Sequence, residues 1–441
     1  MAIKNLIIFS LLVIFNVKLT ISQNILNFQQ VESKTYQYYL NSQWDSIIYI
    51  GEEALKQQID YFYLRIRIGY AYYTKQNYSK AIKHLKIAYE YNSSDPFLLE
   101  LLYYSYLYSN QISESNYFLK KHKNLIKSTQ NTNLKNFYLE SSISSMLKND
   151  NKILSNIKNK NNNSNVKWLE NNKINTIRYI ALGNMFSVNK NILTTLSYSN
   201  INLNNIKEIL INNEILNDYY SLYQHQLYFN SFIRISTGKY LIPAINIILV
   251  NYETLFSHYN KNEQKVFLNR ENKNFYDYAT SLTYKLRFSK TEIDINTTFA
   301  RLNNLVQPIL GTTLLFYPKG NLNLYFSTSA TIQFQNKTHN FILDEKIGFK
   351  IIKNIWIEPF ASFGKMTNYV EQNAYVIHNT FDICNFRTGT QIIIPIQKFR
   401  ISARYLYALK SSPFDYFDSK LKTDKTDYIE NNFFINLTWW F

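Results

Sequence analysis

The sequence predicts a two-domain protein: an N-terminal all-α helical-repeat domain followed by a C-terminal antiparallel transmembrane β-barrel. Three observations lead there. Two early segments align without gaps at an offset of 34 residues, a period that marks helical repeats. From about residue 170 onward apolar residues recur at every second position, the pattern of strands with one wet and one apolar face. The chain then ends on an alternating, aromatic-rich strand, Phe433 to Phe441. Composition agrees, since 38 Tyr and 30 Phe bring aromatics to 17% while mean hydropathy stays at −0.28. Much aromatic surface without long apolar runs suits strands that meet lipid on one side only.

Taken in order, residues 1–22 read as a signal peptide. Lys4 precedes an apolar core, Leu6 to Val17, and Thr20-Ile21-Ser22 offer a cleavage point before Gln23. That core is shorter than the roughly 20 residues a spanning helix needs. No later run is long and apolar either, so residence in a membrane would have to be as a closed barrel. Cys384 is the single cysteine. An intramolecular disulfide and a thiolate metal site are therefore excluded, and no cysteine follows the leader to carry a lipid.

Residues 23–155 are assigned to helical repeats. Gln43 to Ala54 aligns with Asn77 to Ala88, and 88 − 54 = 34. The second copy has Gly69 and Tyr72 in its first helix and Ala81, Leu85 and Ala88 in its second, where small residues let paired helices cross closely. On these residues the segment resembles the tetratricopeptide repeat (TPR) family. A third copy starts at Pro96 with Tyr106, Ile112, Ser115 and Leu119 at matching offsets, although His122 replaces the last small residue. Leu134 to Asn149 is expected to be a further helix. The resemblance implies a concave groove for a periplasmic protein partner; the alternative is a set of helices that plugs against the barrel. Residues 156–169, Asn- and Lys-rich, read as a linker.

Residues 170–441 are assigned to the barrel. Leu322, Leu324, Phe326, Thr328, Ala330, Ile332 and Phe334 alternate with Asn323, Tyr325, Ser327, Ser329, Thr331 and Gln333. Thirteen candidate strands can be marked, yet bacterial single-chain barrels have an even number. The long connections near 203–219, 253–274, 368–379 and 410–431 follow even-numbered candidates, the wrong side for outward-facing loops. Adding or removing one strand before residue 203 repairs both faults, and 12 strands are expected, with 14 the alternative. Phe433, Ile435, Leu437, Trp439 and Phe441 place a large apolar side chain at every second position back from the terminus. Such an ending resembles the signal by which the outer-membrane barrel assembly machinery selects its clients.

Gly364 to Phe441, with Asn368-Tyr369, Tyr375-Val376, Asn379, Asp382, Phe386-Arg387-Thr388-Gly389 and Tyr405, resembles the closing strands of YaiO-type outer-membrane barrel proteins of Bacteroidetes. That resemblance implies a Gram-negative outer membrane with the repeats in the periplasm; it lends a place and a shape rather than a reaction.

The net charge of +17 comes from Lys spread among Asn and Ile without a basic stripe. No nucleic-acid partner is expected from charge of that kind, and anionic outer-membrane lipid is the more natural counterpart. The six His show no metal-ligand spacing, and neither a phosphate loop nor a nucleophile elbow occurs. No catalytic residue, cofactor or metal is expected, and His225 on an apolar strand face reads as an interfacial girdle residue. On the lumen side, Lys285 and Arg287 neighbour Glu292 and Asp294, and Arg387, Arg400 and Arg404 line strands near the end. These form either a constriction selecting anionic solutes or an internal salt-bridge network. The function expected is a scaffold or export component whose repeats recruit a partner; the alternatives are a barrel enzyme acting on lipid or glycan, and a passive small-solute channel.

Overall fold

The computed structural model describes residues 25–126, 137–148 and 168–440, apart from 212–213, 261, 264, 336–337, 372, 381 and 418–420. The expected leader, nearly all of the expected linker, and Phe441 lie outside the described residues.

Among the described residues six helices come first: α1 (Phe28–Leu40), α2 (Trp44–Lys56), α3 (Phe62–Thr74), α4 (Tyr78–Tyr91), α5 (Pro96–Tyr108) and α6 (Ile112–Lys121). Their starts carry the period: 62 − 28 and 96 − 62 are both 34, as are 78 − 44 and 112 − 78. Left-handed backbone recurs in step at Ser42, Gln76 and Asn110, in the turn inside each pair. Side chains of Asn27, Asn77 and Asp95 accept from the backbone N–H three residues on, capping α1, α4 and α5. Leu64, Ile68, Leu85, Leu98 and Leu102 are fully buried between the helices. Gly69 is required by close approach, because a Cβ there would lie 2.6 Å from Leu85.

The rest is a closed antiparallel barrel of 14 strands among the described residues. In ring order they are β1 (Phe137–Lys148), β2 (Trp168–Asn189), β3 (Ile192–Ile211), β4 (Glu214–Ser236), β5 (Lys239–Asn260), β6 (Lys265–Arg287), β7 (Thr291–Leu302), β8 (Leu305–Phe316), β9 (Leu324–Gln335), β10 (Thr338–Ile352), β11 (Ile355–Met366), β14 (Ile383–Ile396), β15 (Phe399–Phe417) and β16 (Leu421–Trp440). β12 (Tyr369–Glu371) and β13 (Val376–His378) form a separate hairpin. Among the described residues no helix is long and apolar enough to cross a membrane. Leu282, Phe326, Ile332 and Leu437 point outward and are exposed, as lipid contact requires.

Four expectations are corrected. The barrel has 14 strands, not 12, and the strand that repairs the parity is β1, added before residue 203. Its segment was expected to be helix within 23–155; instead it pairs with β2 and β16 to close the ring, Leu139 facing Leu182 and Trp439. β2 begins at Trp168, inside the expected linker. Three of the four long loops are strand: Ile206 pairs with Tyr219, Leu255 with Arg270 and Phe414 with Asp424. Backbone groups there bond to each other despite polar sequences, because adjoining strands already stand at hydrogen-bonding distance. The fourth loop, 368–379, turns into the lumen as the β12–β13 hairpin.

Candidate functional site in the barrel lumen

The short turns after β2, β4, β6, β8, β10 and β14 lie at one end, and the helical domain sits on them. Glu114 of α6 is 1% exposed and is the centre of the contact. It accepts from Arg234 Nε at 2.9 Å, Tyr240 Oη at 2.8 Å and the N–H of Gly238 at 3.0 Å. Gly238 adopts φ +72 to present that N–H. Arg234 also stacks on Tyr117 at 3.9 Å. On the other side of the mouth, Asn321 donates to the Gln76 carbonyl at 2.8 Å and Ser79 donates to the Gly320 carbonyl. A buried carboxylate needs several donors to stand removal from water, and here the barrel supplies them to a helix of the other domain.

Inside the barrel, the β12–β13 hairpin crosses the lumen and bonds to several walls. Gln333 donates to the carbonyls of Thr367 and Asn368 at 3.0 and 2.9 Å, and Gln335 donates to Thr367 at 2.9 Å. From the other side Asn246 donates to the Ala374 carbonyl at 2.9 Å, and Thr283 to Asn373 at 2.7 Å. Charge fixes the near end: Arg387 bonds Glu371 at 2.6 Å and Asp344 at 3.3 Å, and His378 lies 2.8 Å from Glu371.

Three spaces follow one another along the lumen. The first, about 180 Å³, lies where the α5–α6 turn meets the wall near Tyr240 and Phe232. It shares Asn110, Lys285 and Glu292 with a chamber of about 690 Å³. That chamber ends at the hairpin, and Tyr369 and Arg387 separate it from a third space of about 230 Å³, walled by Ile177, Ile201, Leu406 and Phe434. The chamber wall is polar and charged; the last space is mostly apolar, with Lys410 and Glu430 at its edge.

The structure brings Lys285, Arg287, Glu292 and Asp294 together. Lys285 bonds Glu292 and lies 3.2 Å from Asp294, and Arg287 bonds Glu292 at 2.8 Å while donating to the Ser109 carbonyl of the helical domain at 3.1 Å. Arg387 locks the hairpin. Arg404 lines the chamber, its guanidinium 4.3 Å over the Phe360 ring. Arg400 stands apart, bonded to Thr438 at 3.2 Å and stacked on Trp440 at 5.0 Å. Phe433, Ile435, Leu437 and Trp439 face outward on β16. His225 also faces outward, bonded to Tyr198 at 2.8 Å. In the helical domain Ala81, Leu85 and Ala88 are buried, and Tyr72 donates to Glu52 at 3.0 Å.

Sequence reasoning missed Glu114, Asp344, Glu358, Glu371 and the row Gln307, Gln333, Gln335. The trace in the sequence was slight: Gln307, Gln333 and Gln335 take inward positions on neighbouring strands with more donors and acceptors than they can satisfy among themselves, which calls for water or another segment. Among the described residues no group of three His, Cys, Asp or Glu is placed to hold a metal ion.

No family model matches the chain, and no curated protein matches it. Among solved structures, the Pseudomonas putida toluene transporter TodX is similar at 5% identity, with 69% of this chain and 90% of that chain covered and a TM-score of 0.45. A Pseudomonas aeruginosa FadL homologue gives 6%, 69%, 90% and 0.43 in the same order. The Acinetobacter baumannii outer membrane protein Omp33 gives 8%, 69%, 98% and 0.34. Likenesses this low say nothing of activity. The closed 14-strand ring with an apolar outer wall is by itself the outer-membrane type of barrel.

Proposed function

We propose that this protein is a gated channel for small polar solutes in a Gram-negative outer membrane. The observation that carries the reading is the line of three lumen spaces, neighbours sharing wall residues, interrupted among the described residues by the β12–β13 hairpin. A barrel that served only as an anchor could fill this volume with side chains. The helical domain, read as tetratricopeptide-like on its 34-residue period, is then the cap on the periplasmic mouth. Its position at the end opposite the β11–β14 connection, residues 367–382, supports that side, because bacterial barrels turn their longer connections outward.

The test is single-channel conductance of the full-length protein in a planar bilayer, compared with Glu371→Ala, which removes the hairpin's charged anchor, and Glu114→Ala, which removes the centre of the cap contact. Low, intermittent current in the parent and several-fold larger, steadier current in both variants is the expected result. Silence in all three would overturn the channel reading.

A second reading, recruitment of a periplasmic protein partner, is favoured by Tyr36 and Tyr63, 50% and 60% exposed on the helical domain and both facing Arg67. Arg67 is buried and held by Glu32, so the two exposed rings are what a partner would meet, and aromatic side chains are enriched in protein interfaces. Cross-linking in cells through a photoreactive residue at Tyr63 should trap one protein species; an unlinked chain would count against it. For assembly, deleting Phe441 should lower outer-membrane levels of the barrel while leaving the helices folded, as read by heat-modifiable gel mobility.

A further inference from the structure

We infer that the chamber contains a binding site for an oxyanion, a carboxylate or phosphate group on a small solute, centred on Arg404. The inference rests on the charge pairing inside the chamber. Lys285 and Arg287 are neutralised by Glu292 and Asp294, and Arg387 by Asp344 and Glu371. Lys346 has Glu358 at 3.9 Å. Arg404 is different: among the described residues no carboxylate comes within ion-pair distance of it. Its Nε is buried without a hydrogen-bond partner, and its guanidinium lies over the face of Phe360 at 4.3 Å.

The direct partners of Arg404 on the neighbouring strands carry no counter-charge, and Glu430 on β16 is taken by Lys410. In the sheet Arg404 stands directly between Gln391 on β14 and Phe434 on β16. Keeping that Nε–H from water without a partner is costly, and a ring face replaces only part of what is lost. An incoming oxyanion would meet the planar fork of Arg404, which suits carboxylate and phosphate alike. Gln391, which also lines the chamber, sets an amide beside it. Glu358 and Glu371 line the same chamber, so a singly charged solute is favoured over a polyanion. A volume of about 690 Å³ suits a small molecule and the hydroxyls of Thr313, Ser327 and Ser329 suit a hydroxylated one.

This deepens the channel reading, yet it is tested without conductance. The refolded full-length protein is titrated calorimetrically with sodium gluconate, inorganic phosphate and, as an uncharged control, glucose. At least one of the anions should bind while glucose does not, and which of them binds more tightly identifies carboxylate or phosphate as the natural group. Arg404→Met should weaken that binding about tenfold or more, the loss expected of a charged hydrogen bond. Arg404→Lys, which keeps the charge and loses the fork, should fall between. Failure of both anions to bind, or unchanged affinity in Arg404→Met, overturns the proposal. Should Arg404→Met not refold, phenylglyoxal labelling of the unaltered protein decides: the anions must protect Arg404 in the mass spectrum, and equal labelling with and without them overturns it. Binding without conductance would sink the channel and leave the site standing; conductance without binding would do the reverse.

Discussion

The helical domain and the barrel bury opposite kinds of residue. In the helices Leu64, Ile68, Leu85 and Leu98 are 0% exposed, and buried charge is confined to paired groups such as Arg67 with Glu32 and Glu114 with Arg234. In the barrel Asn246, Thr283, Gln307 and Gln333 are 0% exposed, while Ile143, Leu249 and Ile435 stand 62%, 52% and 53% exposed. The same physical term drives both. Apolar surface leaves water in each case, toward neighbouring helices in one and toward lipid in the other. A lumen is thereby released from being a core, and its polar side chains can hold an inserted hairpin and leave a chamber open beside it.

If that contrast is right, equivalent damage to the two regions needs opposite substitutions. The largest effect is expected from Leu85→Ala, which opens a cavity against Gly69 and should cost the helical domain about 2–5 kcal/mol. Urea unfolding followed by helical circular dichroism should move, while heat-modifiable mobility of the barrel stays as it was. A smaller, mirror-image effect is expected for Ile435→Lys, a charge placed on the lipid face, costing about 2–4 kcal/mol near the membrane midplane. There the yield of barrel folded into vesicles should fall while the helices remain intact. Loss of helical signal in Ile435→Lys, or of barrel in Leu85→Ala, would show that the two regions do not fold independently.

The smallest and most specific effect belongs to His84, buried in the helical domain. Burial pushes its pKa down to about 4, against the smaller upward pull of Glu52. Glu52 lies 3.2 Å from Nε2, and Arg65 lies 3.1 Å from Nδ1. Since the guanidinium can only donate, Nδ1 accepts and Nε2–H faces Glu52, which fixes the neutral form. A depressed pKa of this sign gives stability that is full above the unfolded value of about 6.5 and lost as pH falls from there toward 4, by at most about 3 kcal/mol. Amide protection factors of α2 to α4, corrected for the slower intrinsic exchange in acid, should therefore fall between pH 6.5 and 4. His84→Gln should flatten that dependence, and an unchanged slope would show that His84 is not its source.

Much of this was legible in local pattern. The alternation from Leu322 to Phe334 set which side chains face lipid, and the offset of 34 between Ala54 and Ala88 set the helical period, because both depend on neighbours within a few residues of sequence. The pairing of Lys285 and Arg287 with Glu292 and Asp294 was readable for the same reason, lying across a tight turn. β1 was not: Leu139, Ile143 and Met146 are spaced as well for a helix as for a strand, and only the demand of β16 for a partner nearly 300 positions away makes them strand. The hairpin at 368–379 was not either, since its bonds run to Asn246, Thr283 and Gln333, each from a different strand. The unpaired state of Arg404 has the same origin, for it depends on which side chains the closed ring places around the chamber. Sequence alone determined the periods, the faces and the two-domain order, which are local properties. Tertiary structure decided the strand count, what enters the lumen and which charges remain without partners, because ring closure fixes these through contacts between distant segments.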